Sequence, residues 1–505
     1  MSDRPDFGGF AASGAPDSRP WGAATPPSPL VTTIGLEIHV QLRTATKMFC
    51  GCAVSFAGEP NSRVCAVCLG HPGTLPVANE TAVEFATKIA MALGCDIAPR
   101  SIFHRKNYFY PDMPKNYQIS QYDIPIGSRG SVDIEVNATV AGVGITRVHL
   151  EEDTGKSMHA GTGGRIHGAE YSLEDFNRAG TPLVEIVTEP DIPSPEVARA
   201  FATEVRAVLD YLEVSDVRME EGSMRIDANI SVARAGERGT KAEVKNMNSL
   251  RSVFRALVYE EKRQSELIAK GAPVEQSTRH WDEKAGVTKP LRSKEEAFDY
   301  RYFPEPDLVP IEPSVEWLRQ LREEIPELPT QRRKRLGEQA GTASAAVLTS
   351  SKVIADFYEE TVSAARVANS KQVANLFVND LLGLLGEKSI ADTGTTPAHL
   401  ASLADLVASG DISKSQGNEV LAEVLISGRG PSEIIEERGI SQVSDTVEIE
   451  AAVDKAIADN AEVAERIKAG EDKPFGFMVG QVMKATGGRG NPAMINELLR
   501  KRLRS

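Results

Sequence analysis

Val31–Leu42 reads VTTIGLEIHVQL, and its strict alternation decides how the surrounding chain is read. Apolar Ile34, Leu36, Ile38, Val40 and Leu42 fall on one side, and Gly35, Glu37, His39 and Gln41 on the other. A period of two is the signature of a strand with one face in a core. Glu37 and His39 then project together from the opposite face. A carboxylate beside an imidazole on a rigid strand is half of a metal site, so the remaining ligands must come from elsewhere in the chain.

Immediately downstream, Cys50, Cys52, Cys65 and Cys68 account for four of the five cysteines. The spacing C-x-C then C-x-x-C brings two close thiolate pairs to a tetrahedral centre, which suits a structural Zn²⁺ with no open coordination position. The segment between the pairs holds Gly, Pro and Asn for a chain reversal. Cys95, after a helix-ending glycine, reads as an ordinary buried thiol.

Two further strands carry carboxylates. Gly142–Asp153 places His149, Glu151 and Asp153 on one face by alternation, and Pro182–Val187 is an apolar run interrupted by Glu185 alone. A lone charge on such a strand is costly unless paired or metal-bound. Three carboxylates with one imidazole, Glu37, His39, Glu151 and Glu185, favour Mg²⁺ or Mn²⁺ over Zn²⁺ because hard oxygens dominate. The sequence EDTGKS after Leu150 resembles a phosphate loop, but Leu150 stands where that loop requires glycine. It is not a Walker A motif, although Thr154–Ser157 remain candidate amide donors to an anion.

Met224–Val232 aligns Arg225, Asp227, Asn229 and Ser231 on one face, and Lys241–Asn248 aligns Lys241, Glu243 and Lys245. Faces this polar suggest a cleft for a phosphate-bearing substrate. Asn177, Arg178, Arg225, Asp227, Lys241 and Lys245 are the candidate contacts. Phe103–Asp123 interleaves Phe103, Tyr108, Phe109, Tyr110 and Tyr117 with Arg105, Lys106 and Lys115, read either as a base-stacking surface or as a loop anchored by buried rings.

The 505 residues allow roughly three domains. Net charge is −14, which argues against nonspecific wrapping of nucleic acid. Locally, Lys484–Ser505 sets six cations against one carboxylate. Lys484 and Arg489, beside a helix start at Asn491 and Pro492, are the candidate contacts to a nucleic-acid backbone phosphate. No apolar run approaches the ~20 residues of a membrane span. The first 29 residues hold six prolines and no apolar stretch of signal-peptide type. A cytoplasmic location is expected.

Four segments are expected: a disordered tail over 1–29, an α+β cradle with a mixed or antiparallel sheet and the zinc loop over 30–312, a helical domain over 313–405, and a small helical tail domain over 406–505. Candidate helices are Asn79–Leu93 and Ser194–Leu212, capped by Asn79 and Ser194, and Asn248–Lys270, ended by Gly271.

IGLEIHVQL, KNYFYPDMPKNYQISQYD, HLEEDTGKS, DFNRAGTPLVEIVTEPD, MEEGSMRIDANISV and FDYRYFPEPDL, in this order and spacing, resemble the B-subunit family of bacterial aspartyl/glutamyl-tRNA amidotransferases across residues 31–505. The resemblance implies a ligase. It would use ATP and Mg²⁺ to phosphorylate the side-chain carboxylate of Glu on tRNA(Gln), or Asp on tRNA(Asn). Ammonia delivered from an amidase partner, the A subunit, would then displace the phosphate, with a small C subunit clamping the heterotrimer. Carried over by position, Glu37, His39, Glu151 and Glu185 match the Mg²⁺ site, with Glu151 and adjacent Glu152 not separated. The cysteine loop occurs in only some relatives. Glu174 departs from an expected apolar residue, and the Gly-rich loop over 160–169 is longer than in compact relatives. The competing reading is a zinc-bearing tRNA-binding scaffold without catalysis of its own.

Overall fold

A computed structural model describes residues 29–55, 58–161, 169–291, 300–386, 388–440, 446–486 and 492–504. The expected N-terminal tail up to residue 28, the centre of the Gly-rich loop, Arg489 and Asn491 lie outside them. Fourteen strands occur among the described residues. They are β1 (Leu30–Gln41), β2 (Asp96–Ile97), β3 (His104–Asn107), β4 (Tyr117–Ser120), β5 (Gly127–Val136), β6 (Thr139–Glu152) and β7 (Lys156–Ala160). The second seven are β8 (Tyr171–Asp175), β9 (Pro182–Thr188), β10 (Met224–Arg234), β11 (Ala242–Met247), β12 (Ser277–Asp282), β13 (Val287–Pro290) and β14 (Phe303–Pro304).

Nine of them form one sheet in the order β13-β12-β11-β10-β1-β9-β6-β5-β2. The β11–β12 pair is parallel and its neighbours are antiparallel. The alternation read in Val31–Leu42 is realised in β1: Ile34, Leu36, Ile38 and Val40 are buried, while Glu37, His39 and Gln41 remain half-buried. Beneath the apolar face pack helices α1 (Glu80–Ala92), α2 (Pro195–Tyr211) and α3 (Leu250–Ala269). The starts expected at Asn79 and Ser194 hold, and α3 is capped by Ser249 and not opened at Asn248, because short polar side chains satisfy orphan amides. Asn79 accepts from the Ala82 amide at 3.2 Å, Ser194 from Val197 at 3.3 Å and Ser249 from Ser252 at 3.0 Å. The opposite face carries Glu37, His39 and Gln41 of β1 with Arg225, Asp227 and Asn229 of β10.

The C-terminal half is helical, which completes an α+β chain. Three sets of buried apolar side chains occur among the described residues. They run from Ile34 to Trp281, from Leu336 to Ile434 and from Ile449 to Leu503. The division expected at 405/406 falls inside the helix Pro397–Ser409, and the second buried set continues to Ile434. The packing break therefore comes after Ile434, because two further helices bury Val420, Leu421, Val424 and Ile434 in that set. Between the helices Ser370–Asn375 and Leu382–Leu385 the chain forms a π-helical turn at Leu376–Leu381.

Candidate active site

Register across three neighbouring strands assembles the site. His39 on β1 lies opposite Glu185 on β9, and Glu185 lies opposite His149 on β6. Directly opposed residues in adjacent strands share a face, so the three side chains form a row, with Glu151 one pleat further along β6. His39 Nε2 stands 3.5 Å from Glu185 Oε2 and 3.8 Å from Glu151 Oε1. His149 Nε2 stands 3.3 Å from Glu185 Oε2 and 3.8 Å from Glu151 Oε2. Ligand atoms of His39, Glu151 and Glu185 all lie within 4.8 Å of one another.

Burial and charge oppose each other here. Burial by itself favours neutral imidazoles, but the two carboxylates overcome it, raising the pKa of His39 and pushing His149 up to about 9. Burial also penalises the Glu185 carboxylate, yet the two imidazoles hold it well below the usual carboxylate range. Negative charge on this buried row thus requires adjacent positive charge. Two carboxylate donors and an imidazole fit a hard divalent ion such as Mg²⁺ or Mn²⁺, and His39, Glu151 and Glu185 are the residues that would hold it.

Glu152 is separated from Glu151 by the pleat. It pairs with Lys115 and accepts from the Ile119 amide at 3.0 Å. Glu37 does not join the three. It accepts from Asn229 Nδ2 at 3.1 Å and lines a cavity of about 180 Å³ with Lys241, Glu243 and Thr278. His149 was legible as a face-mate of Glu151 by alternation, but its place in the row depends on the strand pairing. Lys106 also bears on the cluster. Burial works against its charge, and Glu151 with Tyr302, Tyr300 and Glu185 raises its pKa nonetheless.

The remaining candidates divide. Asp227 pairs with Lys245 at 2.6 Å, and Lys245 reaches Glu243 at 3.1 Å. Arg225 and Arg178 both approach Asp153, at 3.2 and 3.7 Å. Asn177 is committed elsewhere: its amide accepts from the Arg63 backbone at 2.8 Å and donates to the Glu59 carbonyl at 2.7 Å, tying down the cysteine loop. Two of the expected amide donors at Thr154–Ser157 are spent as well. The Thr154 amide donates to Asp153 Oδ1 and the Gly155 amide to the Asp112 carbonyl, and β7 begins at Lys156. Gly155 is required there, since an added Cβ would stand 2.9 Å from the Phe176 ring. Glu174 needs no apolar replacement, because it accepts from Ser157 Oγ at 2.7 Å. In the aromatic stretch, Phe103 is core, set edge-on to Phe49 at 5.4 Å, whereas Phe109 and Tyr110 are exposed. Lys484 is exposed in the last turn of the helix Phe475–Ala485.

The sulfur atoms of Cys50, Cys52, Cys65 and Cys68 form a second group within 4.8 Å. A hydrogen bond from Cys50 lowers Cys68 to about 4 against its burial, helped by the Cys65 amide and by Lys47, whose Nζ lies 3.7 Å away. Burial pushes Cys52 up to about 11. One thiolate is supported here and a second is resisted, a conflict that a soft divalent ion removes, so the donor set fits Zn²⁺. Cys95 is buried apart from them, its thiol pushed up to about 12 by burial.

Residues 32–319 match the family described as the GatB/GatE catalytic domain, and residues 356–503 match the GatB domain. The chain is 50% identical over 477 residues to the B subunit of the aspartyl/glutamyl-tRNA(Asn/Gln) amidotransferase of Moorella thermoacetica, covering 93% of this chain and 99% of that protein. It is 49% identical to the protein of the same name from Carboxydothermus hydrogenoformans, covering 93% and 98%. The corresponding Brevibacillus brevis protein is 49% identical, with 94% and 99% covered. The chain belongs to the GatB family of tRNA amidotransferase subunits. Both candidate metal groups fall within the segment that matches the GatB/GatE catalytic domain. No helix among the described residues is long and apolar enough to cross a membrane.

Proposed function

We propose that this chain is the kinase and transamidase component of a cytoplasmic heterotrimeric ligase. Together with an amidase (A) and a small (C) partner, it acts on misacylated Glu-tRNA(Gln) or Asp-tRNA(Asn). The observation that carries this reading is the convergence of His39, Glu151 and Glu185 on the polar face of the sheet. A side-chain carboxylate is a poor acyl donor because its leaving group is oxide, and phosphorylation by ATP supplies a better one. A bound Mg²⁺ would neutralise charge developing between ATP and carboxylate.

The chain's own residues do the rest. Three paired strands hold the ligand atoms without side-chain reorganisation, which is what preorganised stabilisation requires. Arg225 and Arg178 beside the row supply positive charge for phosphates. Lys106, held cationic by Glu151 and the tyrosines, faces the same carboxylates. Lys484 on the tail helix is the candidate contact to the tRNA backbone, and the cysteine group holds zinc as a brace.

Glu185→Gln tests the reading in the assembled enzyme. Phosphorylation of Glu-tRNA should be lost while glutamine hydrolysis by the partner continues. Normal phosphorylation in that variant would leave the chain as a tRNA-binding scaffold with the chemistry in its partner.

A further inference from the structure

Asp153 belongs to neither metal group, yet its carboxylate is among the most heavily bonded on this face. It follows β6, two residues after Glu151, and is 3% exposed. Oδ2 accepts from Gln41 Nε2 at 2.6 Å and from Arg225 at 3.2 Å, with Arg178 Nε at 3.7 Å, while Oδ1 accepts from the Thr154 amide at 2.9 Å. Its backbone is stitched to the loop that bears Arg178. The Asp153 amide donates to the Thr181 carbonyl at 2.8 Å, and its carbonyl accepts from Gly180 at 2.9 Å. Arg178 meets Asp153 as an ion pair and donates its hydrogen bonds to the carbonyls of Thr154, at 2.9 Å, and Gly155, at 2.7 Å.

One buried carboxylate therefore gathers two guanidiniums from separate parts of the chain. It can neutralise one of the two positive charges, and among the described residues neither arginine has another carboxylate partner. The acid is hidden, whereas the arginine side chains keep 37% and 41% of their surface open. An arginine pair recruited only for packing would be buried along with its acid. Arg225 also pairs in register with His39, so the open charge lies next to the row that carries the candidate metal ligands. Guanidiniums match phosphate oxygens in geometry and charge, and fixing them in advance removes the cost of ordering them on binding.

We propose that Asp153 is a positioning residue. It holds Arg178 and Arg225 as a clamp for the phosphate chain of ATP beside His39, Glu151 and Glu185. The inference rests on the kinase reading above. In the step it serves, an oxygen of the substrate carboxylate forms a bond to the γ-phosphorus. The bond from that phosphorus to the β–γ bridging oxygen breaks, and ADP leaves with the electron pair.

The test uses the complex with its partner subunits and compares calorimetric binding of ATP, ADP and adenosine. Asp153→Asn should weaken ATP by about tenfold or more and ADP by less, with adenosine unchanged. Arg225→Gln should reproduce that pattern, and the double variant should add little to either single one. A loss shared equally by ATP and adenosine would make Asp153 a folding residue and overturn the clamp, as would wild-type ATP affinity in both Arg225→Gln and Arg178→Gln. Those two half-exposed positions carry the test should Asp153→Asn misfold. A wild-type complex that binds no ATP would remove the kinase reading itself. Normal ATP binding in all three variants, with Glu185→Gln still inactive, would remove the clamp alone.

Discussion

The two candidate metal groups of this chain are built in opposite ways. The four cysteines lie close in sequence on a loop, three of them half-exposed, and their geometry comes from local turns tied down by Asn177. His39, Glu151 and Glu185 are far apart in sequence, sit on three adjacent strands and meet only through β1–β9–β6 pairing. Soft thiolates on a loop close around an ion completely, which suits a brace. Hard, buried carboxylates on strands cannot relax toward one another, so they tolerate charge only with an imidazole or a cation beside them. On the proposed reading, the difference assigns the strand group to substrate and the cysteine group to stability.

The sharpest way to break that contrast is to exchange the consequences of losing each group. Glu185→Gln should lower phosphorylation by about 100-fold or more in single-turnover assays, with little change in melting temperature. Cys68→Ser should do the reverse: bound zinc falls by metal analysis, and the melting temperature drops by several degrees because a structural site contributes folding energy. Partial phosphorylation should survive. A cysteine variant that is fully folded but inactive would erase the distinction. His149→Gln refines the picture within the strand cluster. Losing the imidazole that supports Glu185 should weaken Mn²⁺ binding by about tenfold to 100-fold, measured by titration, with zinc content unchanged. The smallest expected effect concerns neither group. Removing residues 441–505, a cut placed after the second buried set, should weaken tRNA binding while both metal contents stay at wild-type values. Unchanged tRNA affinity would detach Lys484 and the basic end from the substrate.

The legibility of the two groups follows from their construction. The cysteine group was readable because its spacing alone brings the thiols together. The row of the active site was readable strand by strand: alternation put Glu37 and His39 on one face of β1 and singled out Glu185 on β9. It could not say that Glu37 would lie one pleat away from the ligand group, beside Asn229, or that His149 would complete the row. Those facts depend on the register between strands that are not neighbours in the chain, and a shift of one residue would turn every side chain to the other face. The same limit explains Asn177, which looked like a substrate contact but is spent on the cysteine loop. It also explains the amides after Asp153, occupied by partners distant in sequence or by the side chain itself.

By itself the sequence determined which strands have a polar face, which residue types stand on it, where the helices beneath start, and that a thiolate group sits next to β1. It determined these because periodicity, capping and close spacing are local properties of a chain. Tertiary structure decided which face-mates touch. It separated Glu151 from Glu152, joined His149 to Glu185, gathered Arg178 and Arg225 onto Asp153, and carried the second core past the division expected at 405/406. Contacts of that kind come from strand register and from the burial of charges that must find partners, and neither is written in any one segment.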